Sequence, residues 1–370
     1  MKKELSALEI GYLVKEFQCL INTKVDTVIN PQKNDTFIDF FMPGKGKKIL
    51  RILPNFIYFS EHKTKSENPT GFCMFLRKYL TNARVRKISQ VHSERIIEFF
   101  LETKSQKYIL IIELFSKGNI ILCQENYWII GLLESQVWKD RELKPGITYV
   151  KPPKKIDFYN LEEQEVKLIF QNDKTLVKKI AIDLGLSGTY AEEICLLTKF
   201  DKNKTRIEDR ETRAILEKIN ELTNKDEKSF VVYKDEIFFD VVPFSLGIYD
   251  SLKQDQFEDY SSALDFVFKN NLIFSFEDEK TKSYEKKIEQ LETTLKKQEE
   301  KIVELEETII ENEKKAELIY TNYAMIKDII DQVKKASEKY SWTEIKEKLK
   351  DHKIIKEVNS KDKKLILELK

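Results

Sequence analysis

The chain has 370 residues, of which 64 are Lys or Arg and 63 are Asp or Glu, for a net charge of +1. A global field that draws the whole molecule to nucleic acid is therefore excluded, and any such binding falls to local patches. Length and an apolar share of 41% allow two or three domains with cores of their own, while 34% charged residues, many in a Lys/Glu block near the C-terminus, mark an unusually charged chain. Cys19, Cys73, Cys123 and Cys195 lie far apart in apolar runs with no CxxC spacing, which suits reduced, buried thiols in a cytosolic protein. No run is long and apolar enough to span a bilayer, and Met-Lys-Lys is not followed by a signal-peptide core.

Residues 3–21 read as an amphipathic helix carried by Leu5, Leu8, Leu13, Phe17 and Leu20/Ile21. Ser6 followed by Glu9 has the spacing of a capping box, so Glu9 is either a cap or a carboxylate near a ligand, and spacing favours the cap. Strands are expected at Thr36–Phe41, Lys48–Leu53 and Asn55–Ser60, punctuated by Pro43-Gly44 and Pro54-Asn55. Phe72, Phe75, Leu76, Tyr79 and Leu80 then form one stripe of a short helix.

Between Phe72 and Arg95 lie six basic residues, Arg77, Lys78, Arg84, Arg86, Lys87 and Arg95, against one acid, Glu94. In a chain of balanced charge this stretch is a candidate seat for a phosphate-rich ligand; the competing reading is a solvated face. Further strands are expected at Arg95–Leu101, Tyr108–Phe115, Asn119–Gln124 and Tyr127–Leu133, with Lys117-Gly118-Asn119 as a hairpin turn. The pattern is that of an antiparallel sheet with a few helices, an α+β class, without βαβ alternation.

Residues 160–225 switch to helix. Gly185 and Gly188 fall in a tight connection, DLGLSGTYAEEI, which either offers backbone N–H groups to a phosphate or is an ordinary helix–turn–helix corner. Strands return at 229–244 and a short helix at 261–274. From about 280, Ile288, Leu295, Ile302, Ile309, Ala316, Tyr323 and Ile330 occupy heptad a positions, and Leu291, Gln298, Leu305, Asn312, Ile319, Ile326 and Val333 occupy d positions. Some 55 residues in such a helix make an arm about 80 Å long, and a long helix needs a partner. Trp342, Ile345 and Leu349 share a helical face beyond it, and an alternating Lys-rich strand spans Lys363–Lys370. Metalloprotease, serine-hydrolase, P-loop and dinucleotide motifs are absent, and His62, His92 and His352 are too dispersed to read as a site. Neither a metal nor a cofactor is expected. The polar constellation that remains is Glu9, Glu94 and Arg95 with the basic stretch.

Those residues also carry a resemblance. Ser6-Ala7-Leu8-Glu9, Pro69 with FCMFLRKYL, Gln90 before Glu94-Arg95-Ile96-Ile97, and Ile112-Glu113-Leu114 with Lys117-Gly118-Asn119 resemble the NFACT family of RqcH, NEMF and the FbpA-like proteins. Gly146-Ile147-Thr148-Tyr149, LGLSGTYAEEIC and the heptads ending near Trp342 extend the likeness over the whole chain. The resemblance implies an NFACT-N domain, similar to the β-sandwich N-domain of formamidopyrimidine-DNA glycosylases, with its first part at 1–158. It further implies a helix-hairpin-helix domain at 159–226, a return at 227–275 packing on the N-terminal region, a coiled-coil arm at 276–338 and the start of a middle domain at 339–370.

The implied function is non-enzymatic, cytoplasmic ribosome-associated quality control. Such factors bind the rRNA of obstructed large subunits holding peptidyl-tRNA, and recruit tRNA, alanine-type in bacteria, for template-free tailing of the stalled chain. The resemblance links Glu94 and Arg95 with tRNA recruitment and sets Glu9 beside them; with RNA as the ligand, the basic stretch Arg77, Lys78, Arg84, Arg86 and Lys87 is expected to contact tRNA, and Gly185 and Gly188 of the hairpin to contact RNA phosphate. The family's Asp-Arg stands here as Glu94-Arg95 and its early Asp as Glu9, each moving a carboxylate by about one methylene, a displacement to which positioning is sensitive. The family's returning helix and RNA-binding NFACT-R domain have no counterpart in the sequence, so a separate NFACT-R-containing chain is an expected partner. Two other readings stay open: a DNA-binding repair protein related to the glycosylases, and a fibronectin-binding adhesin. Lys2 and Lys3 stand where the glycosylases carry their N-terminal proline nucleophile.

Overall fold

The computed structural model describes residues 2–369 except 45, 65–68, 139–140, 154–155, 226–227, 271–275 and 351, and the backbone alone of 276–287 and 289. The chain forms two units, residues 1–275 and 276–370.

The first unit is a mixed α+β structure built on an antiparallel sheet. Its strands are β1 (Lys24–Gln32), β2 (Asp35–Met42), β3 (Gly46–Leu53), β4 (Phe56–Ser60), β5 (Arg84–Gln90), β6 (Ile96–Glu102), β7 (Lys107–Glu113), β8 (Asn119–Gln124) and β9 (Ile129–Leu132), in the order 4-3-2-1-5-6-7-8-9. The halves meet at a single pair, Lys24 with Arg84. Inward residues of both halves, such as Val28, Leu50, Leu110 and Leu122, share one core with α1 (Ala7–Phe17) and α2 (Gly71–Leu80). The other face of β6–β8 is also covered, by Ile129, Leu143 and Tyr149, which is why these strands read as continuous apolar runs rather than alternating ones. A two-residue pair, β10 (Gln136–Val137) and β11 (Glu142–Leu143), follows.

The expected strands appear within a few residues of their sequence positions. The clearest addition is β1, whose Asp, Asn and Lys residues dilute its apolar pattern. In α2 the fully buried line is Cys73, Leu76 and Leu80, whereas Phe72, Phe75 and Tyr79 of the expected stripe are only partly buried, stacked toward the sheet. The stripe is wider than the sequence pattern suggested because the short helix touches the sheet on two sides. The expected turn at Gly118 forms with φ of +66°, and a Cβ there would lie 2.4 Å from the Pro54 Cα, so glycine is required twice over.

A second core is helical. It joins α3 (Glu163–Ile169), α4 (Leu176–Lys178) with a π-turn at Lys179–Asp183, α5 (Gly188–Thr198) and α6 (Asp209–Thr223) to Ala7 and Leu8 of α1. The three-stranded sheet of β12 (Ser229–Lys234), β13 (Ile237–Val242) and β14 (Lys253–Phe257) sits between the cores, in the order 13-12-14. Its helix α7 (Tyr260–Lys269) packs on β4: Ser60 Oγ donates to Asp265 at 2.6 Å, and Phe268 stacks on Tyr58 at 5.0 Å. Helix α1 is therefore buried between two cores, with Ile10, Leu13 and Phe17 in one and Ala7 and Leu8 in the other.

The second unit consists of α8 (Phe276–Thr321), α9 (Tyr323–Ser337), α10 (Trp342–Lys348), β15 (Ile355–Asn359) and β16 (Lys364–Leu367). The continuous heptad helix expected from the sequence is corrected here: the backbone leaves helical geometry at Asn322 (φ −100°, ψ 14°), so two helices share the repeat. Asparagine competes for its own backbone's hydrogen bonds and has low helix propensity. Ile288, Leu291, Leu295, Ile302, Leu305 and Ile309 are exposed, while Ile329 and Val333 pack with Ile355 and Val358.

Candidate functional site

The site starts from a hairpin. Strands β5 and β6 join through residues 91–95, where His92 adopts φ of +50° and Glu94 N–H bonds the Val91 carbonyl at 3.0 Å. Gln90 fastens this turn to α1, its Nε2 donating to Ala7 O at 2.8 Å and to Glu94 O at 2.9 Å. Tyr159 donates to Gln90 Oε1 at 3.2 Å across the surface of α1. That approach requires Gly11, because a Cβ there would lie 1.9 Å from the Tyr159 hydroxyl. Sequences 80 and 150 residues downstream are thus clamped to the first helix, and Glu94-Arg95 is delivered beside its N-terminus.

Helix α1 begins with the expected capping box: Glu9 N–H bonds Ser6 Oγ at 3.3 Å, and Ser6 N–H bonds Glu9 Oε2 at 2.7 Å. Glu9 does more than cap. Its other oxygen, Oε1, lies 2.6 Å from Lys2 Nζ and accepts the Tyr190 hydroxyl proton at 2.7 Å. Lys2 also reaches Asp240 Oδ1 at 3.2 Å and the Val241 carbonyl at 2.8 Å, so three acceptors meet its three protons. Tyr249 closes the far side by donating to Asp240 Oδ2 at 2.8 Å.

The electrostatics of this cluster follow from burial. Burial works against the Lys2 ammonium, but Asp240 and Glu9 outweigh it and raise its pKa above the ordinary value. Burial pushes the Tyr190 hydroxyl well up, and the Glu9 charge adds to the shift, so Tyr190 stays a donor at neutral pH. Tyr249 is raised by burial and by Asp240. Taking one partner out of such a cluster strands a charge in a dry place.

Above the cluster opens a cavity of about 610 Å³. Lys2, Lys3, Glu4, Leu5 and Ser6 cross it, and Glu9, Ser93, Glu94, Arg95, Gly185, Ser187, Gly188, Thr189, Asp240 and Tyr249 are among its other walls. Arg95 lies 2.5 Å from Glu4 Oε2, while the Glu94 carboxylate has no hydrogen bond or ion pair among the described residues. Gly185 adopts φ of +78°, and α5 starts at Gly188 with no side-chain cap, leaving its first N–H groups for another acceptor. Three bases (Lys2, Lys3, Arg95) face four acids (Glu4, Glu9, Glu94, Asp240). With that balance the cavity suits recognition by oriented hydrogen bonds rather than bulk attraction of phosphate.

The structure therefore brings Glu9, Glu94, Arg95, Gly185 and Gly188 to one cavity and leaves the other five basic residues outside it. Glu9 is 2% exposed with both oxygens engaged, which makes it part of the cavity floor rather than of its opening. Arg77 Nε bonds the Val28 carbonyl at 2.6 Å on α2, and Lys78 lies over the Tyr79 ring at 5.4 Å. Arg84 sits at the opposite end of β5, about 20 Å from Gln90, and Arg86 and Lys87 follow it, Lys87 at mid-strand about 10 Å from Gln90. Lys2, Asp240, Tyr190 and Tyr249 were not found from the sequence. Asp240 alone left a trace, as a single acid inside the apolar strand FFDVV. Among the described residues, no three His, Cys, Asp or Glu side chains are grouped to hold a metal ion, and no helix is long and apolar enough to cross a membrane.

Residues 7–359 match the family model for NFACT N-terminal and middle domains. The archaeal Rqc2 homolog aRqcH of Methanocaldococcus jannaschii is 31% identical over an alignment covering all of this chain and 59% of that protein. The human ribosome quality control complex subunit NEMF is 22% identical across 93% of this chain and 35% of its own length. The chain thus spans about three-fifths of the archaeal relative and a smaller share of the human one. Among solved structures, the N-terminal part of the fibronectin/fibrinogen-binding protein from Streptococcus suis superposes with a TM-score of 0.59 at 20% identity, covering 72% of this chain and 100% of that one. The fibrinogen binding protein from Staphylococcus aureus gives 0.60 at 20% identity over 70% of this chain and 97% of that one, a likeness of fold. With the family model matched over nearly its entire length, the chain belongs to the NFACT family.

Proposed function

We propose that this chain is a ribosome-associated quality control factor that binds large ribosomal subunits obstructed by peptidyl-tRNA. In this reading it recruits tRNA, alanine-type in the first instance, for template-free tailing of the stalled chain. The observation that carries it is the convergence of Glu94-Arg95, the Lys2–Glu9–Asp240 cluster and the uncapped start of α5 on one cavity, in a chain whose relatives bear the names Rqc2 and NEMF. The protein acts in the cytoplasm and by positioning: Arg95 and Glu94 orient the nucleic acid, the buried cluster holds their platform, and peptidyl transfer stays with the ribosome. Residues 159–226 serve as a helix-hairpin-helix module, 276–338 as a coiled-coil arm, and 339–370 as the beginning of a middle domain. A separate chain carrying an NFACT-R domain is a candidate partner for the exposed seam of α8.

The test is a pull-down of the 370-residue chain from lysate with the bound RNA sequenced. Large-subunit rRNA with a narrow tRNA set supports the reading, and Arg95→Ala then lowers tRNA more than rRNA. Recovery of no RNA above a bead control rejects it.

A further inference from the structure

A strand turns successive side chains to opposite faces, so adjacent basic residues are ordinarily split between core and solvent. Strand β5 departs from this rule. Val85 pairs with Leu101 and Lys87 with Phe100, which leaves Arg86 as the extra residue of a bulge. Val85 and Ile88 stay in the core while Arg86 and Lys87 are both exposed. Arg84, at the start of the strand, stands opposite Lys24 on β1 and Glu102 on β6.

One residue gathers the arginines. Asn22, in the turn before β1 with φ of +68°, donates its N–H to the Val85 carbonyl at 2.8 Å. Its carbonyl oxygen accepts from Arg84 Nη1 at 2.8 Å and its Oδ1 from Arg86 Nη1 at 3.2 Å. Arg86 Nε is further held by Glu102. Both forks are thereby oriented, while Arg84 Nε and Nη2 and Arg86 Nη2 keep free donors among the described residues. Lys24 and Lys87 are exposed and form no ion pair among the described residues, so four bases stand against the single acid Glu102. No large exposed apolar side chain lies within residues 22–24, 84–87 or 98–102, so the patch lacks the apolar centre of a protein interface.

We propose that this patch is a preformed seat for RNA backbone phosphates, separate from the cavity. Asn22 holds both guanidinium groups, leaving Arg84 its Nε–Nη2 edge for bidentate contact and Arg86 its Nη2 for a single bond; the bulge adds Lys87, and Lys24 completes the positive rim. The division of labour follows from charge: the cavity, with four acids against three bases, reads oriented groups, and the phosphate contact that any RNA demands falls to a surface about 10–20 Å further along β5.

The experiment titrates the full chain with a short RNA duplex of arbitrary sequence across a range of KCl concentrations. Arg84→Gln/Arg86→Gln is compared with wild type and with Lys234→Gln/Lys253→Gln, which removes equal charge elsewhere; circular dichroism verifies each fold. The arginine pair variant is expected to lose about tenfold in affinity at low salt and to flatten the salt slope by about 1.5. Asn22→Gly, which keeps the positive φ and both charges, is expected to lose about threefold through disorder of the forks. The lysine pair variant is expected to match wild type. Equal affinity and slope for the arginine variant and wild type overturn the seat, as does equal or tighter binding of a polyglutamate peptide by wild type. Obstructed subunits serve as a second probe: binding that survives in the arginine variant overturns the seat and keeps the proposed function. Duplex binding without subunit binding keeps the seat and rejects that function.

Discussion

The two ends of the β5–β6 hairpin solve opposite problems. At its closed end, Glu94-Arg95 is clamped against a buried network in which Lys2, Glu9, Asp240, Tyr190 and Tyr249 leave no charge unpaired. Toward its open end, a bulge and one asparagine hold Arg84, Arg86 and Lys87 at the surface with donors to spare. Burial makes the first end stiff and intolerant of change, because an ion stranded there has no water to turn to. Exposure makes the second cheap to alter and sensitive to salt.

That contrast sets the order of expected effects. Glu9→Ala is the most damaging change: it removes the cap acceptor, strands Lys2 and leaves Tyr190 without its acceptor, and should cost about 3–5 kcal/mol in denaturant unfolding. A loss under about 1 kcal/mol would mean that the cluster is wet in solution. Gly11→Ala comes next, at about 1–3 kcal/mol, since Tyr159 must move off Gln90. It should also loosen the 91–95 turn, seen as faster amide exchange at Val91 and Glu94, and unchanged exchange would break the proposed link between Tyr159 and the turn.

The Lys2 charge sets a pH signature. Because the folded-state pKa of Lys2 lies above its ordinary 10.5, its stabilisation is complete below that pH and lost as pH rises through the folded value. Wild type should therefore lose stability above pH 10.5 more steeply than Lys2→Met, in paired melts at neutral and alkaline pH. Parallel profiles would place the alkaline loss on the tyrosines alone. Arg84→Gln/Arg86→Gln is the mildest change for the fold, within about 0.5 kcal/mol of wild type, since both side chains lie at the surface. A larger loss would make the open end structural as well.

Much of the fold was legible because its signals are local. The Ser6–Glu9 cap, the Gly118 turn and the apolar runs of β6–β8 each follow from spacing within a few residues, and each formed where the spacing put it. Strand β1 was not legible, since Lys24 and Asp26 flank its buried Val25, one of its buried positions is the polar Asn30, and a bulge interrupts the alternation. The site was legible only in part. Glu9, Glu94, Arg95, Gly185 and Gly188 stood out as separate features, and nothing in their spacing said that they share one cavity.

The sequence by itself determined the class of fold, the helix caps and turns, and the presence of a basic stretch between Phe72 and Arg95. Tertiary structure alone decided that this stretch is divided, because an extended strand carries its ends about 20 Å apart while its closing turn is pinned to α1. It alone brought Lys2 to Asp240, 238 residues away, and Tyr190 to Glu9, 181 residues away. Contacts of that range leave no periodicity behind: they are selected by which faces the two cores bury, and a buried charge reveals its partner only once both have left the water.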